Sequence, residues 1–575
     1  MNKRFASLTI TLVLILSACG ISTPVPTPTF TPPPTPTYTA TPLPSAVPVL
    51  PVAGTPQGTG GYPWWNDTTF YEIFVRSFND SNGDGIGDFN GIIQKLDYLH
   101  NLGVTGLWLM PINPSPSYHG YDVTDYYAVN PDYGTMSDFK NLLSEAHKRG
   151  IRVILDLVLN HTSFQHPWFQ QAMDPKSPYH DWYIWSDTDP GYPGPWGEQV
   201  WYPLNGKYYY AIFWDQMPDL NYRNPAVTAE MEKTTKFWLD LGVDGFRLDA
   251  AKHIVEDRTV QADSQSTHQW LQQYYTFYKS VNPNSIMVGE LSGDDLGTMA
   301  SYIENKQLDL AFDFGLASSF VAAAKRGRAS PVLVQINLSY KLIPQLQFAP
   351  FLTNHDQDRL MTQLADTPGK VKAAASMLLT APGVPFLYYG EEVGLEGGGQ
   401  DELKRRPMQW SAEANAGFST GTPWESVGPD YQTLNVASES ADANSILTHY
   451  QQLIHSRNQH AALRIGDMFI VTSNDPGLYC ILRISHDQAG SSPVNEAVLV
   501  LVNLTNAPIS DYSLSLEKSS LTTGSYHLVP IMGSGSFADL TVASVGDFSQ
   551  YKPASEVPSF GTLILQLQPV TAPGK

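Results

Sequence analysis

"FNGIIQKLDYLHNLG", residues 89–103, runs directly into "VTGLWLMPI", residues 104–112. The first stretch places Phe89, Ile92, Ile93, Leu96, Leu99 and Leu102 on one face at the helical period, and Gly103 supplies the residue that ends helices. The second is a mostly apolar run of strand length. A helix, a glycine and an apolar strand together make one unit of a parallel sheet, because parallel strands need crossovers and are buried on both faces. The unit recurs. "SDFKNLLSEAHKRG" (137–150), with Ser137 expected as N-cap and Gly150 as stop, leads into "IRVILDLVLN" (151–160), and "VTAEMEKTTKFWLDLG" (227–242) leads into "VDGFRLDA" (243–250).

Working outward, strands are expected in "TFYEIFVRSF" (69–78), "GLWLMPI" (106–112), "RVILDLVL" (152–159), "DGFRLDA" (244–250), "SIMVGEL" (285–291), "LAFDF" (310–314), "PFLTNH" (350–355) and "PFLYYGEE" (385–392). Eight such units predict an α/β fold, a (β/α)8 TIM barrel with its site at the C-terminal strand ends. The barrel is expected over 63–161 and 222–466, closed by the helix in "SILTHYQQLIHSRNQHAAL". Residues 162–221, rich in Trp, Tyr, Pro and Gly and poor in helical periodicity, read as an excursion domain over the barrel mouth. Residues 467–575 change to short alternating apolar runs such as "AVLVLVNL", predicting a C-terminal all-β sandwich domain.

The start of the chain is different. Lys3 and Arg4 precede an apolar run too short to span a bilayer, as in a signal peptide, and "LSAC" (16–19) resembles the bacterial lipoprotein signal. On that resemblance residues 1–19 are a lipoprotein signal peptide, Cys19 is lipidated, and the protein is exported and anchored to a bacterial membrane. Residues 20–62, uncharged up to Gly61 and dominated by Pro and Thr, read as a semi-rigid linker. Cys480 then has no disulfide partner and is expected to be an inert core thiol. The formal charge is −21, or −23 without Lys3 and Arg4, which argues against nucleic acid as a partner.

Polar residues at the expected strand ends carry the chemistry. Residues two apart share a strand face, so "GFRLDAAKH" puts Arg247 and Asp249 together inside the barrel, where a charge pair is costly unless it is used or compensated. Strand 5 ends in Glu290, strand 7 in Asn354, His355 and Asp356, and strand 3 in Asp156, Asn160 and His161. These segments, with "YHGYD" after strand 2 and "MPDLN" (217–221), resemble the α-amylase family, glycoside hydrolase family 13, from about Trp64 onward. "MPDLN" resembles the group intermediate between oligo-1,6-glucosidases and neopullulanases.

The resemblance implies Asp249 as nucleophile, Glu290 as acid/base and Asp356 as the third acid, holding sugar hydroxyls. Retention needs the first two about 5–5.5 Å apart. Arg247 is expected to keep Asp249 ionised, and nearby carboxylates to raise Glu290. His161 and His355 match donors to the same sugar, Tyr121 the platform beneath it, and Asp122 with Arg405 a pair narrowing the non-reducing side, though "KRRP" leaves Arg405 or Arg406 open. Lys252 and His253 match residues facing the leaving-group sugar. Ala250, small and next to the nucleophile, favours α-1,4 over α-1,6 bonds, while "PMQW" (407–410) points towards exo-acting relatives.

"DSNGDGIGD" (80–88) resembles a structural Ca²⁺ loop, with Asp80, Asn82, Asp84, Asp88 and the Ile86 carbonyl as oxygen ligands and no EF-hand glutamate. A second metal site could involve Asn160 and His253. The expected function is hydrolysis of α-1,4-glucans or maltooligosaccharides. The alternatives are an α-glucosidase or oligo-1,6-glucosidase, a glucanotransferase, or a sugar-binding surface lipoprotein. The sequence leaves oligomeric state open.

Overall fold

The computed structural model describes residues 58–293, 295–486 and 494–570. The signal-like start, Cys19 and nearly all of the Pro/Thr-rich segment lie outside the described residues. Eight parallel strands form the central sheet: β1 (Phe70–Ile73), β2 (Gly106–Leu109), β3 (Arg152–Leu157), β7 (Gly245–Leu248), β8 (Ile286–Gly289), β9 (Leu310–Phe312), β10 (Phe348–Ala349) and β11 (Phe386–Tyr388). Their order is β10-β9-β8-β7-β3-β2-β1-β11. The two ends are joined by Val384 N to Phe348 O at 2.9 Å and Phe386 N to Pro350 O at 3.0 Å, which close the barrel. Seven of the eight expected segments contain a strand, "LAFDF" included, whereas β10 (Phe348–Ala349) ends just before the expected "PFLTNH" (350–355).

The period of two sorts each strand into an outer and an inner face. On β1, Tyr71 and Ile73 join the large core beneath the helices, while Phe70 faces inward. Phe70, Trp108, Ile154, Ile286, Val288, Leu310, Phe312 and Phe386 fill the barrel, with Trp64 and Trp65 packed against them. Each such side chain stabilises the fold by about 1.5–3 kcal/mol. Two residues further along the same inner faces, the apolar layer gives way to polar groups: Glu72, Asp156 and Glu290, with Arg247 and Asp249 beside them. The change from apolar to polar along one face builds the site.

The quoted helix spans Phe89–Leu102, capped by the Asp88 carboxylate on Gly91 N and stopped by Gly103 at φ 96°. It buries Phe89, Ile92, Leu96, Leu99 and Leu102, with Ile93 only partly covered. The next helix, Met136–Lys148, is capped by Thr135 and not by Ser137. Thr135 and Asp138 cap each other's backbone amides reciprocally, and that box outcompetes a lone serine two residues later. Helix Ile446–Gln459 meets the first one, Asn458 Nδ2 donating to Gly103 O at 2.7 Å, so the helical ring also closes.

Between β3 and β7 the chain forms a small antiparallel sheet of β4 (Trp185–Ser186), β5 (Trp201–Leu204) and β6 (Lys207–Tyr210). After the barrel come β12 (Asp467–Ile470), β13 (Thr472–Ser473), β14 (Leu478–His486), β15 (Val494–Asn503), β16 (Leu514–Leu516), β17 (Gly524–Met532), β18 (Leu540–Val542), β19 (Phe548–Tyr551) and β20 (Thr562–Pro569). They make a six-stranded sheet, β12-β14-β15-β20-β17-β18, and a three-stranded one, β13-β16-β19. The two share a core including Leu482, Leu514 and Phe548. Cys480 is buried in that core, and burial pushes its thiol well up, as an inert thiol requires. No helix among the described residues is long and apolar enough to cross a membrane.

Candidate active site

Arg247, on β7, is the hub of the site. Its Nη1 lies 2.6 Å from Asp249 Oδ1 and 2.7 Å from Asp156 Oδ1, and its Nη2 lies 2.8 Å from Glu290 Oε2. Asp156 comes from β3, which pairs with β7 in the register Asp156–Arg247, so the contact follows from the sheet itself. The planar guanidinium thus holds three acids in fixed directions, a task a lysine's point charge cannot do. Arg247 also lies over the Trp108 ring at 5.3 Å and beside that of Tyr121 at 5.7 Å.

Ala250 follows Asp249 in a left-handed conformation, φ 48° and ψ 39°, which disfavours a residue with a Cβ. The turn aims its amide at Glu290 Oε2, 3.1 Å away. Strain at this one residue therefore helps fix the acid from the neighbouring strand.

A second network holds the other end of the cleft. Glu72 Oε1 lies 2.5 Å from His355 Nδ1, and His355 Nε2 lies 2.7 Å from the Tyr121 hydroxyl and 3.3 Å from Asp356 Oδ2. Tyr121 also donates to Asp156 Oδ2 at 3.1 Å, joining the two networks. Arg405 Nη2 pairs with Asp356 Oδ1 at 3.1 Å and Nη1 with Asp401 Oδ2 at 3.0 Å, while Tyr118 donates to the same Asp401 oxygen at 2.6 Å. Arg406 turns away to Val427 O, which decides the "KRRP" ambiguity for Arg405.

A cavity of about 270 Å³ opens over these groups, lined among others by His119, Tyr121, His161, Phe213, Asp249, Glu290, His355, Asp356, Asp401 and Arg405. Burial, opposed by Arg247 and reinforced by Glu290 and Asp156, pushes Asp249 up to about 8. Arg247 acts in the expected direction, lowering Asp249, but its one guanidinium is shared among three carboxylates and burial outweighs it. Burial alone would raise Asp356, but His355, Arg405 and Arg247 outweigh it and hold that acid low. For His355, burial favours the neutral ring, yet Asp356 and Glu72 prevail and raise it. Burial lowers His161 to about 4, leaving a neutral ring whose Nε2 lies 3.2 Å from Tyr121 O.

The other expected site residues are engaged as follows. Asp122 is buried and accepts from the hydroxyls of Ser115, at 2.5 Å, and Ser117, while Arg405 pairs with Asp356 and Asp401. Asp122 and Arg405 are thus bonded to separate partners and not to each other. Lys252 donates to Ser292 O at 2.7 Å and His253 Nδ1 is bonded to Gln261 O at 2.8 Å, and neither is among the residues lining the cavity. Asn160 donates to Asp219 Oδ2 at 3.0 Å, which identifies the "MPDLN" acid as its partner.

The Asp80–Asp88 loop is closed by its own side chains. Asp80 accepts from the amides of Asn82, Gly83 and Gly85 and from the Ser419 hydroxyl, Asn82 from Asp84 N, Asp84 from Ile86 N, and Asp88 from Ser81 and Gly91. The donor set is all oxygen, which suits Ca²⁺. Among the described residues, however, no three His, Cys, Asp or Glu side chains converge as a metal site, here or near Asn160 and His253. The structure therefore shows a self-bonded loop and no formed cage at Asp80, Asn82, Asp84, Ile86 and Asp88.

Glu72, Asp401, Tyr118, His119 and Phe213 are site or supporting residues that the sequence reading did not single out. Glu72 carried a usable signal, a lone acid facing inward on an apolar strand, the same signal that marked Arg247.

Acids gathered on a guanidinium at the C-terminal end of an eight-stranded parallel barrel define a glycoside hydrolase. The chain belongs to the alpha-amylase family: residues 72–466 match the family described as "Alpha amylase, catalytic domain". Alpha-amylase 3 of Dictyoglomus thermophilum is 44% identical over 422 residues, covering 72% of this chain and 81% of that protein. The oligo-1,6-glucosidase of Parageobacillus thermoglucosidasius is 33% identical over 519 residues, covering 77% and 90%. The crystal structure of an alpha-amylase from H. orenii superposes with a TM-score of 0.74 at 38% identity, covering 87% of this chain and 99% of that one. Members of the family often bind calcium.

Proposed function

We propose that this glycoside hydrolase cleaves α-1,4-glucosidic bonds in starch-type glucans and maltooligosaccharides with retention of configuration. One observation carries the reading: Asp249 and Glu290 sit on the two arms of one guanidinium at the floor of the cleft. A sugar lying over Arg247 meets both. Glu290 protonates the glycosidic oxygen while the Asp249 carboxylate attacks the anomeric carbon, and Glu290 then takes a proton from the water that releases the glycosyl group. Asp356, His355 and His161 hold the hydroxyls of the sugar left of the bond, with Tyr121 beneath it.

The linkage preference rests on the small Ala250 side chain and on the likeness to alpha-amylases. Initial rates on maltotriose, longer maltooligosaccharides and isomaltose test it, and faster cleavage of isomaltose contradicts it. A second reading, exo action as in α-glucosidases, is favoured by the Arg405–Asp356–Asp401–Tyr118 cluster, which crowds one end of the cleft. Glucose as the sole early product from starch would support that reading.

We also propose a structural calcium ion at the Asp80–Asp88 loop, since its donors are all oxygen and Asp84 Oδ1 and Asp88 Oδ2 each accept only one amide and keep a second lone pair. Metal analysis of purified protein, with melting curves before and after chelation, tests this, and an unchanged melt with no bound calcium contradicts it. On the "LSAC" signal alone we propose export and lipidation at Cys19. Protein wholly in the medium and free of lipid by mass spectrometry contradicts that.

A further inference from the structure

Arg359 is 1% exposed, yet none of its donors meets a carboxylate among the described residues. They go to backbone carbonyls instead: Nε reaches Lys404 O at 2.6 Å and Nη1 reaches Tyr389 O, while Nη2 is buried without a partner. The guanidinium carbon lies 3.8 Å from the centre of the Tyr388 ring and 4.4 Å from that of Tyr389. Taking a cation out of water without an ion pair is costly, so its presence calls for a reason. The reason lies in what it joins.

Arg359 ends the turn that carries His355 and Asp356. Its amide donates to Gly397 O at 2.8 Å, where the packing is so close that a Cβ on Gly397 would fall 2.0 Å from Leu403 O. The Lys404 carbonyl that Arg359 holds also accepts from the Tyr388 hydroxyl at 3.2 Å, and it belongs to the peptide that carries the Arg405 amide. From the other side, Lys404 Nζ donates to Asp356 O at 3.0 Å and Arg405 Nε to His355 O at 3.1 Å. Arg405 Nη2 then meets Asp356 Oδ1 at 3.1 Å. The turn and the short helix Asp401–Lys404 are thus tied together in both directions. Arg359 itself is not among the residues lining the cavity. A planar guanidinium can lie on two rings and meet two carbonyls at once, which a lysine's point charge cannot do.

We propose that Arg359 is a positioning residue for Asp356: by fixing the Lys404–Arg405 peptide it sets Arg405 against Asp356 and so aligns the carboxylate that holds the sugar hydroxyls. Arg359 touches no substrate, and its effect on the reaction passes through Arg405. The inference rests on the role given to Asp356 above.

The test is a double-mutant cycle on maltoheptaose, with melting curves to follow the fold. Arg359→Lys lowers kcat/KM roughly tenfold, short of the roughly hundredfold loss that a misplacement of about 1 Å can cause. KM rises as kcat falls, because a loosened Asp356 holds the sugar less well. A merely structural role leaves less folded enzyme, which lowers apparent kcat and does not move KM. In an Arg405→Met background Arg359→Lys has almost no further effect, since the two residues act in one chain of contacts. Tyr388→Phe removes the other donor to Lys404 O; it follows the same pattern with a smaller fall, and it decides the matter if Arg359→Lys does not fold. Unchanged kcat and KM in the folded variant, or a loss that multiplies with that of Arg405→Met, overturns the inference. Asp356→Asn at wild-type activity overturns the role of Asp356 and this inference with it. An inactive Asp356→Asn beside an unaffected Arg359→Lys overturns the positioning role alone.

Discussion

Glu72→Gln isolates the support behind His355. Glu72 is buried on β1 with Oε1 2.5 Å from His355 Nδ1, and the same ring faces Tyr121 and Asp356 through Nε2. Glutamine keeps the shape and removes the charge. A hydrogen bond to a charged group contributes about 1.5–3 kcal/mol and a neutral one about 0.5–1.5, so the exchange costs about 1–2 kcal/mol. That corresponds to a factor of roughly 5–30 in the protonation equilibrium, and kcat/KM at neutral pH is expected to fall by up to that factor. Burial disfavours the imidazolium while Asp356 and Glu72 raise its pKa, so removing Glu72 lowers it. The sign follows. The charged ring's contribution is complete below the ordinary histidine pKa and is lost as pH rises through the raised folded value, and in the variant that loss comes at lower pH. The assay is kcat/KM for maltoheptaose against pH, with melting curves to show that the fold is kept. The alkaline limb should move to lower pH. A profile superimposable on wild type, at full activity, would refute the reasoning.

Other predictions concern the fold and the acids. Asp80→Ala removes one carboxylate that serves three amides and the Ser419 hydroxyl, tying together segments 339 residues apart. It should destabilise by about 2–4 kcal/mol, since partly buried donors lose a charged acceptor, and an unchanged denaturation midpoint contradicts this. Glu391 is buried and pushed up to about 8, with Tyr450 and Thr353 donating to it. An acid raised in the folded state binds more protons than in the unfolded one between about pH 4.5 and 8, so stability falls with rising pH there by about 1.4 kcal/mol per unit per proton. Glu391→Gln should flatten that slope in melting temperature, and a slope equal to wild type counts against it. Asp249→Asn and Glu290→Gln should each lower turnover by at least ~10³ with the melt unchanged, and near wild-type rates in either would remove the proposed roles.

The barrel was legible because its strands are short apolar runs that each follow an amphipathic helix, so a one-dimensional pattern carried the topology. Arg247, Asp249 and Glu290 were legible because charges on inward strand faces are rare. Glu72 followed the same rule and was passed over among aromatic neighbours in "FYEI". Asp401 was hidden for a different reason: it opens a short helix, Asp401–Lys404, and its i,i+4 pair with Arg405 reads as an ordinary helix-surface contact until the fold brings Tyr118 to the same oxygen. That Ser115 and Ser117 hold Asp122 was not legible, because spacing alone does not show which hydroxyls a buried acid meets. The upward shift at Asp249 likewise depends on burial and on how many acids share one arginine in three dimensions.

The central claim is that Asp249 attacks the anomeric carbon while Glu290 assists. It is tested most directly by turning the enzyme over on 5-fluoro-α-maltotriosyl fluoride, whose glycosyl-enzyme intermediate is slow to hydrolyse, and mapping the labelled peptide by mass spectrometry. The account predicts a single trisaccharide adduct on Asp249, in the peptide running from Phe246 to Lys252. An adduct on another residue, or rapid turnover to the β-anomer with no adduct at all, would contradict it.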